Sequence, residues 1–257
     1  MSAGRLTERM RILFVADLHY GLKQFDWLIA NAPGFDAVLI GGDLLDLSSA
    51  LDLETQIVVV EKYLGRISRN ARLLVSSGNH DGDARNAARE SICNWLRDAK
   101  ADQLHVDGES VVLGDMLVTI CPWWDGPDTR AEVERLLERD ASRSKQKWIW
   151  IHHAPPAGSP VCWTGRKFAG DEALTGWIRR FYPDLVLSGH IHNAPFYADG
   201  SWIDRIGGTW VFNVGRQIGP QPSFVILDFE AMSARWISID DDDTRDLTAR
   251  DASAAGA

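Results

Sequence analysis

Short runs of Val, Ile and Leu recur along the chain, and each run has the length of a buried β-strand. They predict strands at residues 12–15, 37–40, 72–75, 116–120, 148–151, 185–187, 210–214 and 224–229. Stretches with helical spacing and a polar face lie between several of these runs and predict helices at 53–69, 84–98, 129–139 and 171–181. Strands that alternate with helices indicate βα units packed in layers. Residues 202–236 are denser in strands than in helices, so we expect part of the sheet, or a second sheet, to be antiparallel.

The chain has no repeat, low-complexity linker or long Pro/Gly stretch before its C-terminal end. We therefore expect one domain over residues 1–240. An acidic run at 240–243 leads into an end rich in Asp, Ala, Ser and Gly, so residues 241–257 are predicted to form an acidic, disordered tail. Residues 155–169 contain three prolines, two glycines and no regular period, which predicts a loop.

Composition is that of an ordinary soluble protein, with 45% apolar and 25% charged residues. The formal net charge of −9 argues against a generic basic surface for nucleic acid or anionic lipid. Residues 1–10 are polar, and no uncharged apolar run reaches the ~18 residues of a membrane span, so we expect neither export nor membrane insertion. The three cysteines lie far apart without CxxC spacing, which favours a reduced, cytoplasmic protein.

Six of the seven histidines fall in four short polar clusters, a fifth cluster is a bare Gly-Asp, and all five follow apolar runs. In chain order the clusters are Asp17-Leu18-His19, Gly42-Asp43, Gly78-Asn79-His80-Asp81, His152-His153 and Gly189-His190-Ile191-His192. In open α/β sheets ligands bind outside the carboxyl ends of the strands, which is where all five would lie. A capping Asp or a core His explains any one cluster alone. The whole set, at the carboxyl ends of five predicted strands, predicts a metal site.

Spacing within the clusters suits cation binding. Residues two apart in an extended segment project to the same side, so Asp17 and His19 can share a cation, and so can His190 and His192. The paired glycines before Asp43 let the backbone turn sharply and bring that carboxylate against other loops.

Asn79 and His80 are adjacent and therefore point in different directions. One of them could hold an ion while the other faces the substrate, as a general acid must.

The candidate ligands are two Asp, one Asn and four His, too many for one tetrahedral ion. Two ions that share a carboxylate fit better. Nitrogen and oxygen donors without thiolate suit Mn, Fe, Zn or Co in place of Ca or Mg. Paired ions about 3.5–4 Å apart commonly assist displacement at phosphorus.

With the five clusters in this order, the chain resembles the calcineurin-like metallophosphoesterase family over residues 11–228. The family pattern of Asp-x-His, Gly-Asp, Gly-Asn-His-Asp/Glu, His and Gly-His-x-His is matched at every position. The resemblance implies an α/β fold, a four-layered αββα sandwich with two mixed central sheets. It also implies a phosphoric ester hydrolase, most simply a phosphodiesterase, whose nucleophile is a hydroxide that bridges two metal ions.

The resemblance further implies a role for each matching residue. One ion would be bound by Asp17, His19, Asp43 and His192, and the other by Asp43, Asn79, His152 and His190. His80 would stay unligated, stabilise the phosphoryl oxygens and protonate the leaving alkoxide. Either His152 or His153 could be the ligand after the fourth strand end. We select His152 because it comes first after the strand, which leaves His153 to line the substrate pocket.

A further family feature, an Asn-Pro-Gly-like turn, corresponds here to Asn213-Val214-Gly215-Arg216 and lacks the proline. Arg216 is therefore a hypothetical phosphate contact, with a surface salt bridge as the alternative. Trp123, Trp124 and Trp163 lie in predicted loops near strand ends, where they could stack on a substrate ring or merely cover the sheet edge.

The leading functional hypothesis is a phosphodiesterase that acts on a small or nucleotide-like phosphoester. A nuclease or a protein phosphatase is a second hypothesis, but a nuclease needs a basic track, and this acidic chain offers only local clusters of Lys and Arg. The third is a metal-bearing scaffold that binds protein partners. Such a scaffold could dispense with the general acid, whereas His80 is present here.

Overall fold

Two mixed β-sheets form the centre of the fold in a computed structural model that describes residues 10–248. The strands are β1 (Arg11–Val15), β2 (Ala37–Gly41), β3 (Arg72–Ser76), β4 (Ala84–Arg85), β5 (Ser91–Ile92), β6 (Leu104–His105), β7 (Ser110–Leu113), β8 (Met116–Ile120), β9 (Lys147–Ile151), β10 (Leu185–Ser188), β11 (Ile203–Ile206), β12 (Thr209–Asn213), β13 (Phe224–Asp228), β14 (Ser233–Ile237) and β15 (Asp242–Asp246). The α-helices are α1 (Leu22–Asn31), α2 (Leu53–Ile67), α3 (Asn94–Asp98), α4 (Pro127–Ala141) and α5 (Glu172–Phe181). Among residues 10–248, no helix is both long and apolar enough to cross a membrane.

The first sheet has seven strands in the order β15-β14-β13-β1-β2-β3-β6, and the second has six in the order β11-β12-β10-β9-β8-β7. In the first sheet β1, β2, β3 and β6 are parallel, and β13 joins β1 antiparallel. In the second sheet β8, β9, β10 and β12 are parallel, with antiparallel strands at both edges. Both sheets are therefore mixed, as predicted.

The side chains of β1 point alternately to the two faces of the first sheet, and this shows how the layers are built. Ile12 and Phe14 pack between the two sheets, whereas Leu13 and Val15 pack against the outer layer that contains α1 and α2. Successive side chains of a strand point to opposite faces, and here both faces are buried, so the strand is apolar throughout. A third apolar cluster lies between the second sheet and helices α4 and α5. The predicted αββα sandwich is confirmed.

The helix predicted at 84–98 is wrong over most of its length. The segment forms the short hairpin β4–β5 and a single helical turn, α3. The carboxylate of Glu90 accepts hydrogen bonds from the backbone N–H groups of Asp128 and Thr129, in the first turn of α4. A contact with another element therefore overrides the local helical spacing.

Part of the predicted acidic tail is a β-strand. The acidic residues Asp242–Asp246 form edge strand β15, which pairs antiparallel with β14. Arg235 forms an ion pair with Asp242, and the indole of Trp202 donates to Asp243 at 2.9 Å. These partners offset the like charges of the run and allow it to pair. The rest of the predicted tail, from residue 249, lies outside the described residues.

Candidate metal centre

The loops that follow five parallel strands converge at one end of the sandwich. They leave β1, β2 and β3 in the first sheet and β9 and β10 in the second, and they carry all five polar clusters. Eight side chains there form three donor groups, two of which adjoin each other and share Asp43.

The first group contains Asp17, His19, Asp43 and His192, whose donor atoms all lie within 4.8 Å of one another. The Nε2 atoms of His19 and His192 are 3.1 Å apart, and Oδ1 of Asp17 is 3.2 Å from Nε2 of His192. Nε2 of His19 is 3.6 Å from Oδ2 of Asp43. Donors about 2.0–2.2 Å from one shared ion lie about 2.8–3.6 Å from each other, so these spacings fit a transition-metal ion.

The second group contains Asp43, His153 and His190. Nδ1 of His153 lies 2.6 Å from the carbonyl oxygen of Gly41, and a carbonyl can pair only with an N–H. In the neutral ring Nε2 therefore carries the lone pair, and it lies 3.1 Å from Oδ2 of Asp43. Two acceptors face each other at this distance, which is the arrangement that a cation between them would satisfy.

Asn79 supplies a further oxygen donor. Its Oδ1 is buried and makes no hydrogen bond with any described residue. Buried polar atoms are nearly always paired, and an orphan oxygen in the loop that also carries His80 fits a metal ligand.

His152, which the sequence placed among the ligands, points away from both donor groups. It is fully buried, and its Nε2 lies 3.4 Å from Oδ2 of Asp171 at the start of α5. His153 stands where the fourth cluster was expected to contribute its donor. The assignment of His152 does not agree with this geometry.

The alternation of side chains along β9 explains the difference. Trp150 packs against the helix layer and Ile151 packs between the two sheets. Because consecutive residues of an extended chain face opposite sides, His152 follows Trp150 toward α5 and His153 follows Ile151 toward the first sheet. The side of β9 that faces the other sheet, and not the position after the strand, decides which histidine lies near Asp43.

His80 lies at the edge of the centre, with its side chain 22% exposed and its Nε2 3.9 Å from Oδ2 of Asp43. Its Nδ1 accepts a hydrogen bond from the backbone N–H of Leu47 at 3.3 Å. In the neutral ring the proton is therefore on Nε2, the nitrogen nearer the donor groups. His80, His19 and Asp46 form the third group. Asp46 carried no signal in the sequence, because it lies three residues beyond the Gly-Asp cluster.

Burial and charge compete in the centre. Burial alone would raise the pKa of Asp17, but hydrogen bonds with His19 and His192 hold it below its ordinary value. Burial would lower the pKa of His153, yet the carboxylates of Asp43 and Asp17 raise it to about 9. The two carboxylates thus stabilise a positive charge at this position, which is what a cation site requires.

The backbone of the centre is strained. Asp17, His19, Asp43 and His190 all have positive φ, between 42° and 66°. Non-glycine residues in this region cost about 1–3 kcal/mol each and concentrate at functional sites. Close approach also requires glycine at position 78, since a Cβ there would lie 2.2 Å from Oδ1 of Asp43.

Asp81 joins the loops after β2 and β3. Its Oδ1 accepts from the backbone N–H groups of Leu44 and Leu45, and its Oδ2 accepts from Gly78. Burial and the nearby Asp43 raise the pKa of Asp81 to about 7. The sequence identified Asp81 as part of a cluster but not its task, which is to position the loops that carry Asp43 and Asn79.

Arg216 lies close to the centre through its backbone, which donates to the carbonyl oxygen of His192 at 3.1 Å. Within residues 10–248 its guanidinium forms no ion pair, so the salt-bridge alternative has no support there.

Comparison with known proteins bears on the same region. A family model described as calcineurin-like phosphoesterase matches residues 10–194, which include every donor named above. In sequence, no curated protein matches the chain. Protein TT1561 of Thermus thermophilus has a similar fold, with a TM-score of 0.58 at 14% identity over 93% of this chain and 99% of that one. Purple acid phosphatase PPD1 from yellow lupin seeds matches with a TM-score of 0.59 at 16% identity, over 94% of this chain and 55% of its own.

Proposed function

The chain belongs to the calcineurin-like phosphoesterase family, and on that premise we propose that it is a metal-dependent phosphoric ester hydrolase, most simply a phosphodiesterase. The observation that carries the proposal is the pair of donor groups that share Asp43. A carboxylate that belongs to both groups can hold two cations next to each other. The proposed substrate is a small or nucleotide-like phosphoester.

The proposed ligands follow the geometry of the two groups. Asp17, His19, Asp43 and His192 would bind one cation, and Asp43, Asn79, His153 and His190 would bind the other. The donors suit Mn, Fe, Zn or Co. When bound, two such cations polarise a phosphoester and make water a stronger nucleophile at neutral pH.

His80 is proposed as the general acid. Its Nδ1 is occupied by the N–H of Leu47, which directs the Nε2 proton toward the space above the donor groups. A substrate phosphate bound there would receive a hydrogen bond from Nε2, and the departing oxygen would receive the proton. Arg216, whose backbone is held by His192, is the proposed additional contact for a phosphoryl oxygen.

A reducing, cytoplasmic setting is part of the proposal. It is supported by Cys93, Cys121 and Cys162, which are all buried and unpaired.

Hydrolysis of bis(p-nitrophenyl) phosphate and p-nitrophenyl phosphate tests the proposal. Protein stripped of metal should be inactive, should regain turnover with Mn²⁺, Zn²⁺, Fe²⁺ or Co²⁺, and should hydrolyse the diester faster. His80→Ala should still bind metal but turn over about 10²–10⁴-fold more slowly, the usual contribution of a general acid. Protein that binds its cations yet hydrolyses neither compound would contradict the proposal and favour the scaffold.

A further inference from the structure

A cleft of about 370 Å³ opens beside the second donor group. Its lining includes His190, Trp123, Trp124, Arg130, Ala169 and Glu172. Pockets that hold small ligands range from about 300 to 1,000 Å³, so the cleft could hold one ring and its substituents. Since His190 belongs to both the cleft and the metal centre, a phosphoester bound at the centre has room to extend here.

Trp123 joins the cleft to the metal centre. The centroid of its indole lies 5.5 Å from that of His190 and 5.8 Å from that of His153. The aromatic wall therefore begins directly against two of the proposed ligands.

Trp124 continues this wall and is held in a fixed orientation. Its Nε1 donates to Oδ2 of Asp171 at 2.9 Å, and the same oxygen lies 3.4 Å from Nε2 of the buried His152. The other oxygen of Asp171 accepts from the N–H of Leu174, where it caps α5. Asp171 and His152 are not part of the proposed ligand set. Together they hold Trp124 in position.

The remaining groups around the cleft suit a polar, planar ring. The guanidinium of Arg130 lies 5.8 Å from the ring of Trp124, at the exposed rim. Residues with small side chains, among them Ala169, also line the cleft and take up little of its volume. Every nucleobase offers a π-face for stacking, and Arg adds a cation–π contribution.

We propose that this cleft binds a planar heteroaromatic ring of the phosphoester, of the kind that a nucleobase provides, by stacking on Trp123 and Trp124. The inference rests on the proposed function, since it assumes that the phosphate of the same molecule lies at the metal centre. Asp171 and His152 act as positioning residues through Trp124.

Calorimetric binding of adenosine 5′-monophosphate and ribose 5-phosphate to the metal-loaded protein tests the inference. The two probes share phosphate and sugar and differ in the base. Stacking on an aromatic side chain typically contributes 1–3 kcal/mol per base, so the nucleotide should bind about 5–150-fold more tightly. Trp124→Leu removes one of the two stacking indoles, so it should lower this ratio several-fold and leave the affinity for ribose 5-phosphate unchanged.

Trp163→Leu is the matched control, because the Trp163 ring packs on Phe168 at 4.8 Å and does not line the cleft. It should keep the parent ratio. Ala169→Leu provides a second test that leaves Trp124 in place. By filling the cleft it should weaken binding of the nucleotide but not of ribose 5-phosphate.

Equal affinities of the parent for the two probes would overturn the inference, and so would an unchanged ratio in both Trp124→Leu and Ala169→Leu. Failure of the proposed function is a separate result. Turnover of bis(p-nitrophenyl) phosphate without a preference for the base contradicts only the cleft assignment, whereas base preference without turnover of any phosphoester contradicts only the proposed hydrolase.

Discussion

Replacement of His153 or its neighbour His152 by alanine distinguishes a metal ligand from a positioning residue one position away. Nε2 of His153 faces Asp43 at 3.1 Å, while Nε2 of His152 lies 3.4 Å from Asp171 on the other side of the second sheet. Loss of an indirect partner of a metal ligand typically costs 10–100-fold in metal affinity. Loss of the ligand itself in His153→Ala should therefore cost at least about 100-fold at one of the two cations.

A ligand that binds only the folded state stabilises it by RT ln(1 + [L]/Kd). A 100-fold weaker affinity should thus remove about 2.7 kcal/mol of the stabilisation that saturating Mn²⁺ gives the parent. His152→Ala should keep metal affinity within about 10-fold, because the carboxylate of Asp171 remains bound to Trp124 and Leu174. It should instead lower the stability of the metal-free protein by about 2–4 kcal/mol through the cavity it leaves.

Calorimetric titration with Mn²⁺ and urea unfolding with and without the ion measure both quantities on the same preparations. The reasoning is refuted if His152→Ala loses metal affinity while His153→Ala retains it. It is also refuted if both variants bind both cations as the parent does.

Three further substitutions test the loops and the interior. Gly78→Ala places a methyl group 2.2 Å from Oδ1 of Asp43, so calorimetry should show loss of metal binding, whereas Gly176→Ala, with no atom within 4 Å, should bind as the parent does. Asp81→Asn puts an amide NH₂ where a carboxylate oxygen accepts a backbone N–H. Urea unfolding should therefore show a free energy of unfolding that is lower by about 1–3 kcal/mol. Burial raises the pKa of Asp107 to about 6, above the 3.8 expected in the unfolded chain. Its contribution to stability is therefore present below about pH 4 and falls by roughly 3 kcal/mol as the pH rises through 6. In urea unfolding, the free energy of unfolding of Asp107→Asn should therefore rise by about 3 kcal/mol relative to that of the parent between pH 4 and pH 7.

Each of these expectations has a contrary result. Equal metal binding by the two glycine variants would show that the loop accommodates the methyl group. Unchanged stability of Asp81→Asn would remove its assigned role in joining the loops. A stability difference between Asp107→Asn and the parent that does not vary with pH would show that this carboxyl keeps an ordinary pKa when buried.

Much of the centre could be predicted from the sequence because strand ends and polar clusters coincide. A parallel strand buried on both faces is an uninterrupted apolar run, so its carboxyl end is visible in the sequence as the point where polar residues begin. The family resemblance implied Asp17, His19, Asp43 and His192 as one ligand set, and these four side chains lie together.

The features that could not be predicted from the sequence depend on contacts with neighbouring elements or on missing local signals. Trp150 and Ile151 are equally apolar, so the pattern along β9 does not reveal which face meets the other sheet, and the choice between His152 and His153 depends on that face. The segment 84–98 has helical spacing, but the inward carboxylate of Glu90 caps a helix that begins far along the chain. Helix α1 was not predicted, since the residue that precedes it, Gly21, has no side chain to cap it.

Metal stoichiometry in the parent and in Asp43→Asn tests the shared carboxylate most directly. The amide keeps an oxygen to accept the backbone N–H of His80, as Oδ1 of Asp43 does at 2.9 Å, but it removes the negative charge that both donor groups share. Elemental analysis after dialysis against a limiting metal buffer should find two cations per chain in the parent. Asp43→Asn should lose both together, along with hydrolysis of bis(p-nitrophenyl) phosphate. Loss of only one cation, or full turnover by the metal-free parent, would contradict a dinuclear hydrolase built on Asp43.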